Sequence, residues 1–300
     1  MVGDRIEHGS DLSRDLIESA AHPDIGEERY EEIEAARRAL SELPAGREDA
    51  TRLWERLGNA YLGTGDYERA VDALERVVSA GGATLDTYEK LARSARELQD
   101  FLDEVRYREA AVDRRPEDPA LWRDLGIARR RAGASRDAVT SLREAMRLDP
   151  EDEVESGIEL GRALRDLGEA ENAVTSFREA LERRPDCSDL WSELAGAYSE
   201  LGLFAESDQA VREAIRLKPA NAAAWRTMAT NALKRGTRDT AAKAYQRMKE
   251  LNPDFADEIL SWVSSTAGLP PDALGEPDLA AAPATYKRRG RLLPFRRLRA

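Results

Sequence analysis

The sequence has few of the side chains on which catalysis and metal binding most often depend. Its 300 residues include two histidines, His8 and His22, and a single cysteine, Cys187. Metal sites and acid–base catalysis usually require clusters of His, Cys or paired carboxylates, and the sequence contains no such cluster. A single cysteine excludes an internal disulfide and is typical of a reducing compartment. We therefore predict a protein that is not an enzyme and has no metal or cofactor.

Long apolar runs are also missing. No stretch approaches the roughly 20 apolar residues that span a bilayer, and the opening stretch MVGDRIEHGSDLSRDL lacks the apolar core of a signal peptide. We therefore expect a cytoplasmic protein. The formal net charge of -12 argues against nucleic-acid binding by the body of the chain, because contacts with phosphate require a basic surface.

A unit of about 34 residues repeats along the chain. Prolines recur at positions 116, 150, 185, 219 and 253, and each unit carries an aromatic residue, a Leu-Gly or Leu-Ala pair, a central Gly and a later Ala at fixed offsets. In the first clear unit, Trp54, Leu57 and Tyr61 form one stripe of a helix. Gly65 stands where that helix must end, and prolines stand where later second helices must end. Each unit can bury its stripe only by stacking on its neighbours, which predicts a solenoid.

This unit resembles the tetratricopeptide repeat, a pair of antiparallel helices. Six units match, at 51–84, 85–118, 119–152, 154–187, 188–221 and 222–255. The second is degenerate, because Gln99 replaces the turn glycine and Glu104 replaces a small alanine. The resemblance implies an all-α fold, a right-handed α–α superhelical solenoid with a C-terminal capping helix.

The two ends of the chain differ from the repeats. Residues 1–50 contain two predicted helices within 10–43, which we interpret as a degenerate repeat or cap. Residues 254–267 form a predicted capping helix that would cover the apolar face of the last repeat. Residues 268–300 form a predicted disordered Pro/Ala-rich linker and basic tail.

The resemblance further implies that the first helices of successive units line a concave groove that takes a peptide or a partner's helix. The candidate groove residues are Asn59, Arg93, Arg96, Arg123, Ile127, Arg130, Arg162 and Arg165. Six of them form two columns, Arg93–Ile127–Arg162 and Arg96–Arg130–Arg165. Arginine binds two oxygens of a carboxylate at once, so one hypothesis is a positive groove centre that receives an acidic segment or a terminal carboxylate.

The alternative is an ordinary solvated face. Glu89 with Arg93, and Arg162 with Asp166, are i, i+4 pairs that would neutralise one another locally. The small residues Gly196 and Ser199 predict room in the fifth unit for a bulky side chain of the partner. The family members that bind chaperone tails use a Lys–Asn pair in one unit, but here Glu55 stands where the Lys belongs, so that specificity is not carried over.

The basic tail is a second candidate contact surface. Residues 268–300 carry seven basic and three acidic residues, with Leu and Phe interleaved among the arginines. The candidate tail contacts are Arg288, Arg289, Arg291, Arg296 and Arg297. Four uses stay open: an anionic membrane surface, nonspecific nucleic-acid contact, a partner, or the acidic solenoid itself. An unconstrained, solubilising end is the alternative to all four.

The function that we predict is a noncatalytic protein-interaction scaffold that binds a partner peptide or helix in the groove. Two rival hypotheses remain. The first is a membrane-surface adaptor that uses the basic tail, and the second is a recruiting subunit of an enzyme complex.

Overall fold

The structure, a computed structural model, describes residues 27–42, 48–150 and 153–251. These ranges contain thirteen α-helices and no strand. The helices are α1 (Glu27–Glu42), α2 (Glu48–Thr64), α3 (Tyr67–Ser79), α4 (Leu85–Glu97), α5 (Phe101–Arg114), α6 (Pro119–Arg131), α7 (Ser135–Leu148), α8 (Glu153–Asp166), α9 (Ala170–Arg183), α10 (Ser188–Glu200), α11 (Phe204–Leu217), α12 (Ala222–Lys234) and α13 (Arg238–Leu251).

Helices α2 to α13 form six consecutive pairs, each packed against the next along the chain. The first helices of the pairs are α2, α4, α6, α8, α10 and α12, and the second helices are the odd-numbered α3 to α13. Four second helices end two residues before the prolines at 116, 150, 185 and 219. The largest core cluster runs without interruption from Ala138 on α7 to Ala224 on α12. The predicted all-α solenoid is therefore confirmed.

The turn inside each pair needs a left-handed residue. The central glycines of five pairs have φ angles between 73° and 80°, as the sequence predicted. In the second pair Gln99 takes the same conformation, with φ of 60°. The degenerate repeat therefore keeps the turn without the glycine, at the cost of backbone strain.

A recurring hydrogen bond joins three of the units to the turn before them. The indole N–H groups of Trp122, Trp191 and Trp225 donate to the carbonyl oxygens of Pro116, Pro185 and Pro219, at 2.7, 2.8 and 2.9 Å. The proline thus ends one second helix, and its carbonyl orients the aromatic residue of the next first helix.

At the N-terminal side, α1 covers the first pair. Ile33 and Ala36 of α1 are buried in one cluster with Leu57, Ala60 and Tyr61 of α2. The predicted helix near residue 10, the predicted capping helix at 254–267 and the segment 268–300 lie outside the described residues. None of the described helices combines the length and the apolar character that crossing a membrane requires.

Candidate partner-binding groove

From α6 onward, the first helices approach one another along one side of the solenoid. Helix α6 contacts α8, α8 contacts α10, and α10 contacts α12. The predicted groove residues all lie on first helices: Asn59 on α2, Arg93 and Arg96 on α4, Arg123, Ile127 and Arg130 on α6, and Arg162 and Arg165 on α8. The predicted tail contacts, Arg288 to Arg297, lie outside the described residues.

Three of these arginines join their unit to the next one through carboxylates. Arg130 contacts Glu159 and Asp166 of α8 at 3.3 and 3.5 Å. Arg162 contacts Glu159 on its own helix at 2.6 Å and Glu193 of α10 at 2.7 Å. Arg165 contacts the other oxygen of Glu193 at 2.8 Å and also pairs with Glu200. We call this set, which spans α6, α8 and α10, the arginine–carboxylate ladder.

The ladder is partly shielded from water. The side chains of Glu159 and Glu193 are 14% and 21% exposed. Burial alone would lower the pKa of the Arg162 guanidinium, but Glu193 and Glu159 outweigh it and raise that pKa. The same balance, with Glu200 and Glu193 as the acids, raises the pKa of Arg165. Arg162 and Arg165 therefore stay charged, and all three arginines of the ladder pair with acids of the same chain.

The ladder contradicts the prediction of a positive groove centre. It contains three guanidinium groups and four carboxylates, those of Glu159, Asp166, Glu193 and Glu200, so its sum is not positive. Sequence reasoning missed Glu159 and Glu193. The signal was present, because each acid stands at the same offset in the unit that follows a groove arginine.

The prediction of open space at Gly196 is also wrong. A Cβ atom placed on Gly196 would lie 3.1 to 3.3 Å from the guanidinium of Arg165. That group occupies the space left by the missing side chain. At Ser199, which is buried, the backbone carbonyl accepts a hydrogen bond from Lys234 Nζ at 3.3 Å.

The ladder stops at the junction between the second and third units. Arg131 stands at the offset that Asp166 and Glu200 fill in the later units, and it pairs with Glu104 at 3.1 Å. Asp124, at the other acidic offset, pairs with Arg108 at 2.7 Å. Asp124 is the acid of α6 (Pro119–Arg131), so this helix offers no further acid to the arginines of α4.

The polar groove residues of the first two units therefore have more hydrogen-bonding groups available to a partner. Asn59 and Arg93 are exposed, and Arg93 forms no ion pair with any residue that the structure describes. Among the described residues Arg96 forms an ion pair with its chain neighbour Glu97, at 3.1 Å, and both side chains are about two-fifths exposed. On α6, Arg123 and Ile127 are half-buried.

The consecutive arginines of α6 have three separate sets of partners. Arg129 donates to Ser141 Oγ at 2.7 Å and to Glu109 at 2.9 Å. Arg130 belongs to the ladder. Arg131 turns toward Glu104 of α5, not toward the groove edge as the helical position suggests. The triplet is therefore not one basic patch.

Glu104 is a buried carboxylate with incomplete hydrogen bonding. Its side chain is 1% exposed, and one of its oxygens, Oε2, has no hydrogen-bond partner. Burial raises the pKa of Glu104, and the nearby Arg131 and Arg108 offset this only in part. Glu104 stands at a position where four of the other five units have alanine and the fifth has Ser207.

Comparison with known proteins agrees with the helix pairing. Sequence profiles described as the tetratricopeptide repeat match residues 51–94, 89–153 and 158–222. The sixth pair lies beyond the matched ranges. No curated protein matches the sequence.

Several solved structures share the fold at low identity. One is the C-terminal part of a TPR repeat-containing protein from Cytophaga hutchinsonii, with 18% identity, a TM-score of 0.56, and coverage of 78% of this chain and 95% of that one. PilF of Pseudomonas aeruginosa has 21% identity, a TM-score of 0.50, and coverage of 71% and 99%. MamA of Desulfovibrio magneticus has 18% identity, a TM-score of 0.50, and coverage of 57% and 96%.

These likenesses show the fold, and the matched ranges include more than half of the 300 residues. The chain therefore belongs to the tetratricopeptide repeat family, whose repeats generally form scaffolds for protein interaction.

Proposed function

We propose that this protein is a noncatalytic scaffold whose groove binds a segment of a partner protein at the first three units. The observation that carries the proposal is the unequal pairing of the groove arginines. In the third to fifth units the ladder satisfies Arg130, Arg162 and Arg165, whereas Arg93 and Arg96 on α4 retain donors for an external acceptor.

An acidic group of the partner fits this end of the groove. Arg93 is exposed without an ion pair among the described residues, and the pair of Arg96 with Glu97 is solvent-exposed. Exposed pairs contribute only about 0–1 kcal/mol, so a partner's carboxylate can displace Glu97 at small cost. The exposed amide of Asn59, on the neighbouring first helix, supplies a further donor and acceptor.

Apolar contact is available beside the arginines. Ile127 on α6 and Ile158 on α8 are half-buried at groove positions. A partner segment that places a carboxylate on α4 and an apolar side chain on α6 would use both kinds of surface. Such a combination of an apolar anchor with a few placed polar groups is typical of interaction sites.

The test is affinity purification of partners from the source cell with the full chain as bait. We expect the double variant Arg93→Glu/Arg96→Glu to lose its partner, since reversing charges at a contact costs at least about 2 kcal/mol, or roughly thirtyfold in affinity. The matched control is Arg136→Glu/Arg143→Glu, which makes the same charge change at two exposed positions on α7.

The proposal requires that the control retain every partner that the groove variant loses. If both variants retain all partners, or both lose the same ones, the groove end at α4 is not the binding surface. Circular dichroism of each bait must show unchanged helix content, so that loss of binding is not loss of fold.

A further inference from the structure

A cleft of about 470 Å³ opens between α9, α10 and α11. This volume falls within the range of about 300–1,000 Å³ that is usual for ligand pockets. Its lining consists of Arg178, Leu181, Glu182, Trp191, Leu194, Tyr198, Glu206, Gln209 and Ala210. The aromatic and aliphatic side chains form an apolar wall, and two carboxylates and one guanidinium stand among them. None of the predicted groove residues lines this cleft.

The first unit shows how the same two aromatic positions are covered elsewhere in the chain. There, Tyr61 and Trp54 occupy the places of Tyr198 and Trp191. Arg37 of α1 donates from Nε and Nη2 to the Tyr61 hydroxyl, at 3.0 and 2.6 Å. The guanidinium of Arg69 lies 5.9 Å from the Tyr61 ring centroid, and that of Arg76 lies 4.6 Å from the Trp54 ring centroid. Three arginines of this chain therefore cover the first aromatic pair.

The fifth unit lacks two of these arginines. Glu206 and Glu213 stand at the positions of Arg69 and Arg76, so a carboxylate replaces each of the two second-helix guanidiniums. Arg178 of α9 lines the cleft but forms no hydrogen bond with the Tyr198 hydroxyl among the described residues. Glu213 is paired with Arg216 at 2.8 Å, but Glu206 is exposed and forms no ion pair within the described ranges.

The aromatic pair of the fifth unit is accordingly left uncovered. Trp191 and Tyr198 are half-buried, and the Tyr198 hydroxyl has no hydrogen-bond partner among the residues that the structure describes. A guanidinium would stack on such rings and donate to the phenol oxygen and to a carboxylate. The cleft therefore has an apolar wall, a phenol oxygen without a partner and more acids than bases, with Arg178 as the basic group of its lining.

We propose that this cleft binds an arginine of the chain's own basic segment, residues 287–299. The segment contains seven basic residues and no acid, and Arg296 and Arg297 follow Phe295 directly. Phe295 suits the apolar wall, and the arginines suit Glu182 and Glu206, which outnumber Arg178 in the lining. The segment therefore occupies the fifth unit as Arg37, Arg69 and Arg76 occupy the first.

Chain length permits this contact. Residues 252–286 connect α13 to the segment, and 35 residues extend to about 115 Å at most. The cleft helix α11 directly precedes α12, and packed helices lie about 8–10 Å apart. The connecting residues are therefore several times longer than the distance requires.

The test is ¹⁹F NMR of the full chain labelled with 5-fluorotryptophan, in which Trp191→Phe assigns the Trp191 signal. We expect Arg296→Glu/Arg297→Glu to shift the Trp191 signal, because the guanidinium leaves the ring. The control Arg136→Glu/Arg143→Glu changes the charge by the same amount on α7 and should leave that signal in place.

A second variant isolates the cleft. Glu206→Arg supplies the arginine that the first unit has at this position, so the Trp191 signal should no longer respond to Arg296→Glu/Arg297→Glu. A response of equal size in both backgrounds, or no response in either, overturns the proposal. A shift that disappears when the protein is diluted identifies the segment of a second copy as the occupant and likewise overturns the intramolecular contact.

Discussion

Replacing Gly161 with alanine should destabilise the protein, whereas the same replacement at Gly157, one turn earlier in α8, should stabilise it. A Cβ atom at Gly161 would lie 2.4, 2.6 and 2.8 Å from the Cε1, Cζ and Cδ1 atoms of Phe177. The Phe177 ring is fully buried, with 0% exposure, so it has no room to withdraw. At Gly157 the nearest atom is the Cβ of Ala180 at 3.7 Å, which is an ordinary contact.

The size of the difference follows from two opposing effects. In a helix interior alanine is favoured over glycine by about 1 kcal/mol, and both variants gain this. Forcing an extra methyl group into a close-packed core costs about 1–3 kcal/mol, and only Gly161→Ala incurs this. The free energy of unfolding should therefore rise by about 1 kcal/mol for Gly157→Ala and fall by up to about 2 kcal/mol for Gly161→Ala.

Urea unfolding followed by far-UV circular dichroism measures this difference. Solenoids do not always unfold in one step, so the two transition midpoints are compared directly at equal protein concentration. Helix content in the absence of urea should be the same for both variants. If Gly161→Ala unfolds at the same urea concentration as Gly157→Ala or at a higher one, close packing against Phe177 is not the reason for the glycine.

Two further predictions concern the degenerate second unit. Gln99→Gly should raise the free energy of unfolding by about 1 kcal/mol, because a φ of 60° is strained for a residue with a Cβ atom but not for glycine. If Gln99→Ala stabilises the protein equally in thermal unfolding, backbone strain at this position is not the cause. Since burial raises the pKa of Glu104 above 4.5, its contribution to stability is complete below pH 4.5 and is lost as pH rises through the folded-state pKa. Between pH 4.5 and the folded-state pKa, the free energy of unfolding of the wild type should therefore fall relative to that of Glu104→Gln, as measured by denaturation curves. A difference between the two proteins that does not change with pH would contradict this prediction.

The helix pairs and their order could be predicted because their causes are local and repeated. The apolar stripe of Trp54, Leu57 and Tyr61, the turn glycines and the closing prolines each act within about one unit. The same pattern occurs in six units. A departure in one unit, such as Gln99 in place of the turn glycine, therefore did not hide the repeat length.

The groove could be predicted only in part. The offsets placed Arg130, Arg162 and Arg165 on the first helices, where the structure has them. Whether these arginines are already paired depended on Glu159, 29 residues after Arg130, and on Glu193, 31 and 28 residues after Arg162 and Arg165. Residues close in sequence do not indicate whether an arginine side chain points toward an external partner or toward the next helix. The helix backbone allows side-chain rotamers for both directions.

The sequence by itself determined that the chain is an all-α repeat solenoid, because the units share an apolar helix stripe, a turn between two helices and a signal that ends the second helix. Only the tertiary structure decided which arginines are already satisfied and which aromatic pair is left uncovered. Arg165 pairs with Glu193 while Arg93 stays exposed, and Arg37 donates to the Tyr61 hydroxyl while no residue within the described ranges donates to the Tyr198 hydroxyl. Such contacts join side chains of different units, and stacking alone brings them within reach of one another.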